Sequence, residues 1–375
     1  MGPTPSDEID ERIRAAANRV LPLDQHAAAA ARHHLDQLTK PAGSLGRLEE
    51  LAIQLAGITG QAQPRFEQKA VIVLAADHGV AAEGVSAYPQ AVTAQMVHNF
   101  LNGGAAINVL ARRAGARVVV ADLGMVAELP TNAGLQSRRV GPGTANLANG
   151  PAMSREAAVS AIVTGMAIVE AEVTQGLDVL ALGEMGIANT TASSAIIAAL
   201  TGMVAADVTG RGTGVDETGW IHKVAVVERA LALNQPDPMD PNDVLAKVGG
   251  YEIGGLVGAI LTAAGHRIPV VLDGFISGAA ALLAARLCPA TRAYMIAGHC
   301  SAENGHQVAL GHLELRPLLD LGMRLGEGTG AVLALHLIDA AAAILSEMAT
   351  FADAGVAERA DPPRAAPPNE VPQRS

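Results

Sequence analysis

Residues Ala70-Val71-Ile72-Val73-Leu74-Ala75-Ala76-Asp77-His78-Gly79 decide the fold of this 375-residue chain. An unbroken apolar run, rich in β-branched residues, gives way abruptly to Asp-His-Gly. A strand that is apolar on both faces is what a parallel sheet covered by helices on both sides requires. The pattern recurs as Val118 to Ala121 before Asp122, Val179 to Leu182 before Gly183-Glu184, Val270 to Leu272 before Asp273-Gly274, and Tyr294 to Ala297 before Gly298-His299. Between these runs lie segments with helical apolar spacing: Thr93 to Ala114, Arg155 to Gln175, Thr191 to Thr201 and Ile276 to Leu287. Strand–helix alternation of this kind predicts an α/β fold built on a doubly wound parallel sheet. Such sheets bind ligands at the carboxyl ends of their strands, where the polar residues of this sequence collect.

Outward from this core, Ile9 to Val20, Ala27 to Leu38 and Ser44 to Ala56 carry apolar residues at helical spacing, with a turn at Thr39-Lys40-Pro41-Ala42-Gly43. Residues 1–65 form an N-terminal helical segment, 66–317 the α/β core, and 318–356 a Gly-rich loop followed by a helix. Residues 357–375, with five prolines and mixed charges, are expected to be a disordered tail. Aromatic residues make up only 2% of the chain, so the core must pack through Ala, Val, Leu and Ile. The net charge of −11 argues against a nucleic-acid partner, which needs a basic footprint, but leaves room for a local anion site made of backbone N–H groups. Cys288 and Cys300 make neither a disulfide framework nor a CxxC pattern and are expected to be reduced thiols. The N-terminus has no apolar signal region, and Gly and charged residues interrupt the Ala-rich stretches short of membrane-spanning length. The expectation is a cytoplasmic protein with no membrane partner.

Four segments carry candidate chemistry. In Arg324-Leu325-Gly326-Glu327-Gly328-Thr329-Gly330 a carboxylate flanked by glycines stands before a helix, where backbone can approach a ligand closely; a plain cap of that helix is the alternative. In Gly183-Glu184-Met185-Gly186-Ile187-Ala188-Asn189-Thr190-Thr191 a strand end opens a helix, and exposed N–H groups with Asn and Thr side chains suit phosphate as well as capping. Thr209-Gly210-Arg211-Gly212-Thr213-Gly214, with Lys223 downstream, reads as anion-binding or as a flexible loop; it lacks the Walker Lys-Ser/Thr pair. Ser86, Tyr88 and Gln95 are candidates to line a pocket for a flat heteroaromatic ring, against a plain loop and helix start. His299, Glu303 and His306 fall at spacings that would share a helical face, but the spacing is not that of a zinc site, and no metal is expected; His299 and Ser301 read better as hydrogen-bonding groups at a strand end.

In this order the segments resemble the nicotinate-nucleotide–dimethylbenzimidazole phosphoribosyltransferase family. The resemblance also takes in Thr39-Lys40-Pro41-Ala42-Gly43-Ser44-Leu45-Gly46, Ala76-Asp77-His78-Gly79-Val80, Leu272-Asp273-Gly274-Phe275 and Gly298-His299 with Ser301-Ala302-Glu303, and spans roughly residues 39–345. It implies a Rossmann-like sheet with a smaller helical domain from chain-terminal segments, a homodimer, no cofactor, and transfer of phosphoribose from nicotinate mononucleotide to 5,6-dimethylbenzimidazole. It assigns Glu327 as general base. Glu184, Gly186, Asn189, Thr190, Thr191, Arg211, Gly212 and Lys223 fall to the nucleotide and its phosphate, and Ser86, Tyr88, Gln95 and Leu325 to the base. The residues leave open another base or a phenol as acceptor, or a binding protein without catalysis. One departure is Ala188, where the family commonly has Gly; a Cβ there predicts a negative φ and obstructs close phosphate approach.

Overall fold

The computed structural model describes residues 5–130 and 132–357; apart from Ala357, the expected tail lies outside the described residues. Helices α1 (Pro5–Arg19), α2 (Gln25–Gln37) and α3 (Arg47–Thr59) precede strand β1 (Lys69–Ala76). Then come α4 (Val92–Leu101), α5 (Ala106–Ala114), β2 (Ala116–Gly124), β3 (Leu135–Ser137), α6 (Arg155–Thr174) and β4 (Val179–Met185). The stretch α7 (Asn189–Thr201), α8 (Ala205–Val208), α9 (Glu217–Asn234), α10 (Pro241–Val248) and α11 (Tyr251–Gly265) leads to β5 (Val270–Leu272), α12 (Phe275–Leu287) and β6 (Met295–Ala297). The described chain closes with α13 (Asn304–Leu313), α14 (Thr329–Glu347) and α15 (Phe351–Ala354).

All six strands are parallel and ordered β3-β2-β1-β4-β5-β6. The order reverses between β1 and β4, which run in register from Lys69↔Val179 to Ala75↔Met185. That switch point is where a crevice opens at the carboxyl edge.

The continuous apolar strands serve two cores at once. Ala70, Ile72, Leu74 and Ala76 of β1 face a layer containing α1, α6, α7 and α9 to α13, whereas Val71, Val73 and Ala75 face a layer containing α2 to α5 and α14. The first three helices are thus divided between the two faces. In the first layer α6 and α11 meet backbone to backbone: a Cβ placed on Gly165 would lie 1.8 Å from the Gly255 carbonyl oxygen, and one on Gly258 would lie 1.9 Å from that of Ile162.

Two sequence expectations are corrected. The helix expected over Thr93 to Ala114 is broken into α4 and α5 by Asn102-Gly103-Gly104, where Gly103 adopts a φ of 74°. Two helices, α6 and α14, are long and apolar enough to cross a membrane by length and composition, contrary to the expectation that no stretch reaches that length. Half or more of each apolar window is buried, α6 against α11 and α14 against the sheet, as in a core helix.

Candidate active site

A cavity of about 510 Å³ opens at the carboxyl edge, lined from β4 by Glu184, Met185 and Gly186, from α7 by Asn189 and Thr190, and from the turn before α14 by Arg324 to Glu327. Asp273 follows β5 and His299 follows β6 on its wall, while Tyr88, Val92 and Met96 close the apolar side. Its mixture of apolar lining and few polar groups suits a small organic ligand.

Glu327 is carried on an unusual backbone. Gly326, Glu327 and Gly328 all have positive φ, at 89°, 64° and 89°. Glycine adopts this region freely, but the Cβ of Glu327 makes it costly there, so the surroundings must hold it. Asp273 does so from the end of β5: its carboxylate accepts N–H bonds from Gly328 at 3.2 Å, Gly330 at 2.7 Å and Ala331 at 3.0 Å, and so caps α14 from outside the helix. On the other side Gly183 lies so close that a Cβ on it would stand 2.5 Å from the Glu327 carbonyl oxygen. The Glu327 carboxylate faces the first turn of α5, with Oε2 accepting from the Ile107 N–H at 3.5 Å. Burial raises its pKa above the ordinary glutamate value, the Ile107 N–H opposes this, and the charge of Asp273 adds to it.

The other ionisable groups are perturbed by the same crowding. Glu184 is pushed up to about 8 by burial and then by the neighbouring carboxylates Glu252 and Asp273; the amide of Asn189, hydrogen-bonded to Glu184 Oε2, works in the opposite direction. Burial raises Asp273, against the pull of His299, whose Nε2 is 3.6 Å from Asp273 Oδ1. Lys223 is fully buried; its Nζ donates to Thr190 Oγ1 at 2.8 Å, and burial lowers its pKa to about 8 against the attraction of Glu303. His306 is lowered to about 3 by burial and then by His299, and its Nδ1 accepts the Ser301 N–H at 2.9 Å. Ionisable groups shifted by burial around one cleft mark a candidate site of proton chemistry.

A family model described as a phosphoribosyltransferase matches residues 20–356. The nicotinate-nucleotide–dimethylbenzimidazole phosphoribosyltransferase of Chloroflexus aurantiacus is 61% identical over 347 residues, 92% of this chain and 99% of that protein. That of Desulforudis audaxviator is 60% identical over 346 residues, covering 92% and 98%. The crystal structure of the Thermus thermophilus enzyme of the same name superposes with a TM-score of 0.86 at 50% identity, covering 90% of this chain and 100% of that one. The chain belongs to this phosphoribosyltransferase family.

Of the residues read from the sequence, the fold of this phosphoribosyltransferase brings Glu327, Glu184, Gly186, Asn189, Thr190, Gly212, Tyr88 and Leu325 to the cavity wall. Five others lie behind or beside it. Lys223 stands behind Thr190, and Thr191 is fully buried within α7. Arg211 is drawn outward by Glu217 and the Val215 carbonyl. Ser86 bonds Thr213 Oγ1 at 3.1 Å, so the cavity meets Thr213 rather than Ser86. Gln95 points to solvent because Val92 and Met96, four residues apart on α4, take the inward face.

His299, Glu303 and His306 do not share a helical face, because α13 begins only at Asn304 and His299 belongs to the β6 end. Among the described residues no group of three His, Cys, Asp or Glu could hold a metal ion. Ala188 departs from expectation in the opposite sense: it precedes α7 with a φ of 76°, so its backbone takes the glycine-like conformation despite the methyl group. The anchoring role of Asp273 beneath the Glu327 turn escapes sequence reasoning, since its partners lie 55 to 58 residues away along the chain.

Proposed function

We propose that the cavity holds nicotinate mononucleotide and 5,6-dimethylbenzimidazole together and that Glu327 is the general base of their reaction. One benzimidazole nitrogen attacks the ribose C1, the C1–N bond to the pyridinium breaks, and nicotinate leaves with the bonding electrons. The proton on the other ring nitrogen passes to Glu327. The products are α-ribazole 5′-phosphate and nicotinate. The pyridinium is already a good leaving group, so one carboxylate is enough, and base assistance of this kind contributes about 10²–10⁴ in rate. The observation that carries the reading is a buried Glu327 on the cavity wall with its pKa raised by burial.

Asn189, Thr190 and Gly212, with Glu184 and Gly186, would hold the nucleotide at the start of α7, where N–H groups and the helix N-terminus favour phosphate; Lys223 supplies positive charge through Thr190. Thr191, Arg211 and Ser86 support these loops. Tyr88 and Leu325 would border the acceptor. Residues 1–65 and 318–356 are assigned to a smaller helical part around the 66–317 core; the packing of α14 on α2 and α3 supports this for those helices, whereas α1 packs on α6 and α11. The enzyme is assigned as a cytoplasmic homodimer by resemblance to its family.

Incubation with nicotinate mononucleotide and a panel of benzimidazoles, purines and phenols, following nicotinate release, tests the reading. Release that depends on 5,6-dimethylbenzimidazole is expected. Release only with a purine or phenol would replace the acceptor, and binding without release would remove the catalytic assignment.

A further inference from the structure

Directly beneath Gly186 of the cavity wall lies a hydrogen-bonded pair to which the reaction above gives no part. His78, at the end of β1, and Glu252, in the first turn of α11, are both fully buried, with Nε2 and Oε1 2.6 Å apart. They are 174 residues apart in sequence and meet below Gly186: a Cβ on that cavity-lining residue would stand 3.3 Å from the His78 ring and 3.4 Å from Glu252 Oε1. Glu252 Oε2 has no hydrogen-bond partner among the described residues. Gly250 seals the far side, since a Cβ there would lie 2.3 Å from His78 Cε1.

The groups acting on Glu184 are Glu252 from α11, Asp273 after β5, Glu327 before α14 and Asn189 from α7, and of the three carboxylates Glu252 acts most strongly. Carboxylates crowded into a buried space cannot all ionise, and the proton settles where donors are few and neighbouring negative charges many. Asp273 has three N–H donors and Glu252 has the imidazole. Glu184, with a single amide from Asn189, is raised by three carboxylates, whereas Glu327, with the Ile107 N–H, is raised by Asp273 alone. The Asn189 amide occupies Glu184 Oε2, and Oε1 lies against Gly326, with 2.7 Å to a Cβ built there.

We infer that Glu252, held in place by His78, is a positioning residue that keeps Glu184 protonated, so that Glu184 meets the nucleotide as a hydrogen-bond donor through Oε1. The inference rests on the proposed place of Glu184 beside the nucleotide. Protonated Glu184 offers an O–H to a ribose hydroxyl and adds no further negative charge near the phosphate. The proton is lost as pH rises through about 8, and the donor with it.

The test uses the full-length enzyme. In the substrate-free protein, infrared spectroscopy should show a protonated-carboxyl band at neutral pH that vanishes in Glu184→Gln and titrates near pH 8. In Glu252→Gln the titration should move down by about one pH unit or more, and the alkaline limb of kcat/KM should move with it. Should Glu252→Gln fail to fold, Glu252→Ala is expected to move both in the same direction, because it too removes the charge that raises Glu184. A band absent from the wild type, or a titration unmoved by the variants, overturns the inference whatever the substrate. A band that moves while nucleotide affinity, measured in a Lys223→Ala background, keeps its alkaline limb would instead remove Glu184 from the nucleotide site. Equal loss of activity at every pH would reduce the pair to a structural pin.

Discussion

The carboxylate of Asp273 holds the backbone that carries Glu327: three N–H groups within four residues of the Gly326-Glu327-Gly328 turn end on its two oxygens. The carboxylate proposed as the base is therefore set by a strand end, not by its own loop. Asp273→Asn would turn an amide toward those N–H groups, a loss of about 1–3 kcal/mol for buried donors left without an acceptor. We expect a lower thermal midpoint and turnover reduced about tenfold or more, a displaced base costing at least as much as one lost charge-assisted contact. Turnover indistinguishable from wild type would show that the turn holds its shape without Asp273.

Glu327→Gln should lower turnover by about tenfold or more with folding intact, since only general-base assistance is removed. Glu327 must be ionised to accept a proton, and burial raises its pKa, so wild-type kcat/KM should fall with decreasing pH through a limb above the ordinary glutamate value. The limb should be missing from the variant. A pH profile that keeps it would point to a different base.

Lys223→Ala should raise the KM for nicotinate mononucleotide more than it lowers kcat, because Lys223 reaches the site through Thr190. Its pKa of about 8 means the positive charge is present below that pH and lost above it, so nucleotide binding by the wild type should weaken in the same range. Isothermal titration at pH values on both sides of that point measures both effects, and an unchanged nucleotide affinity in the variant would count against any phosphate role.

Ala188→Gly should be close to neutral in stability. Removing a buried methyl costs about 0.8 kcal/mol and the added chain freedom about 0.5–1 kcal/mol, while relief of the left-handed conformation at φ 76° returns about 1–2 kcal/mol. Ala192→Gly, inside α7 and fully buried, has no such relief and should lose stability measurably. Equal losses from both in urea denaturation would contradict the strain assigned to Ala188.

The strands of the sheet were legible because burial on both faces writes a continuous apolar run, and Val71 to Ala76 could hardly be anything else. β3 was not, since Leu135-Gln136-Ser137 is a three-residue edge strand with no such run. Nor was α11: Tyr251 to Gly265 is apolar on every side and carries three internal glycines, so it shows no helical stripe. Glu327, Glu184 and Thr190 stood out because Gly-containing sequence surrounds them, in the turn before α14 for Glu327 and at the junction of β4 with α7 for the other two. Asp273, His78 and Glu252 do their work through partners on other elements, and spacing along the chain carries no trace of a meeting made in three dimensions. Positive φ at Ala188 also escaped, because a side chain's local preference was overruled by the packing of the residue in the core.

The contact of α6 with α11 through bare backbone has a consequence for Glu252. A helix separated from its neighbour by side chains can slide or roll as those side chains change rotamer. At Gly165 and Gly258 this seam has no side chain to rearrange and no room to acquire one. The α11 register is fixed accordingly, and with it the position of the first-turn carboxylate Glu252. A single methyl group at this join would force α11 away from α6 and carry Glu252 with it.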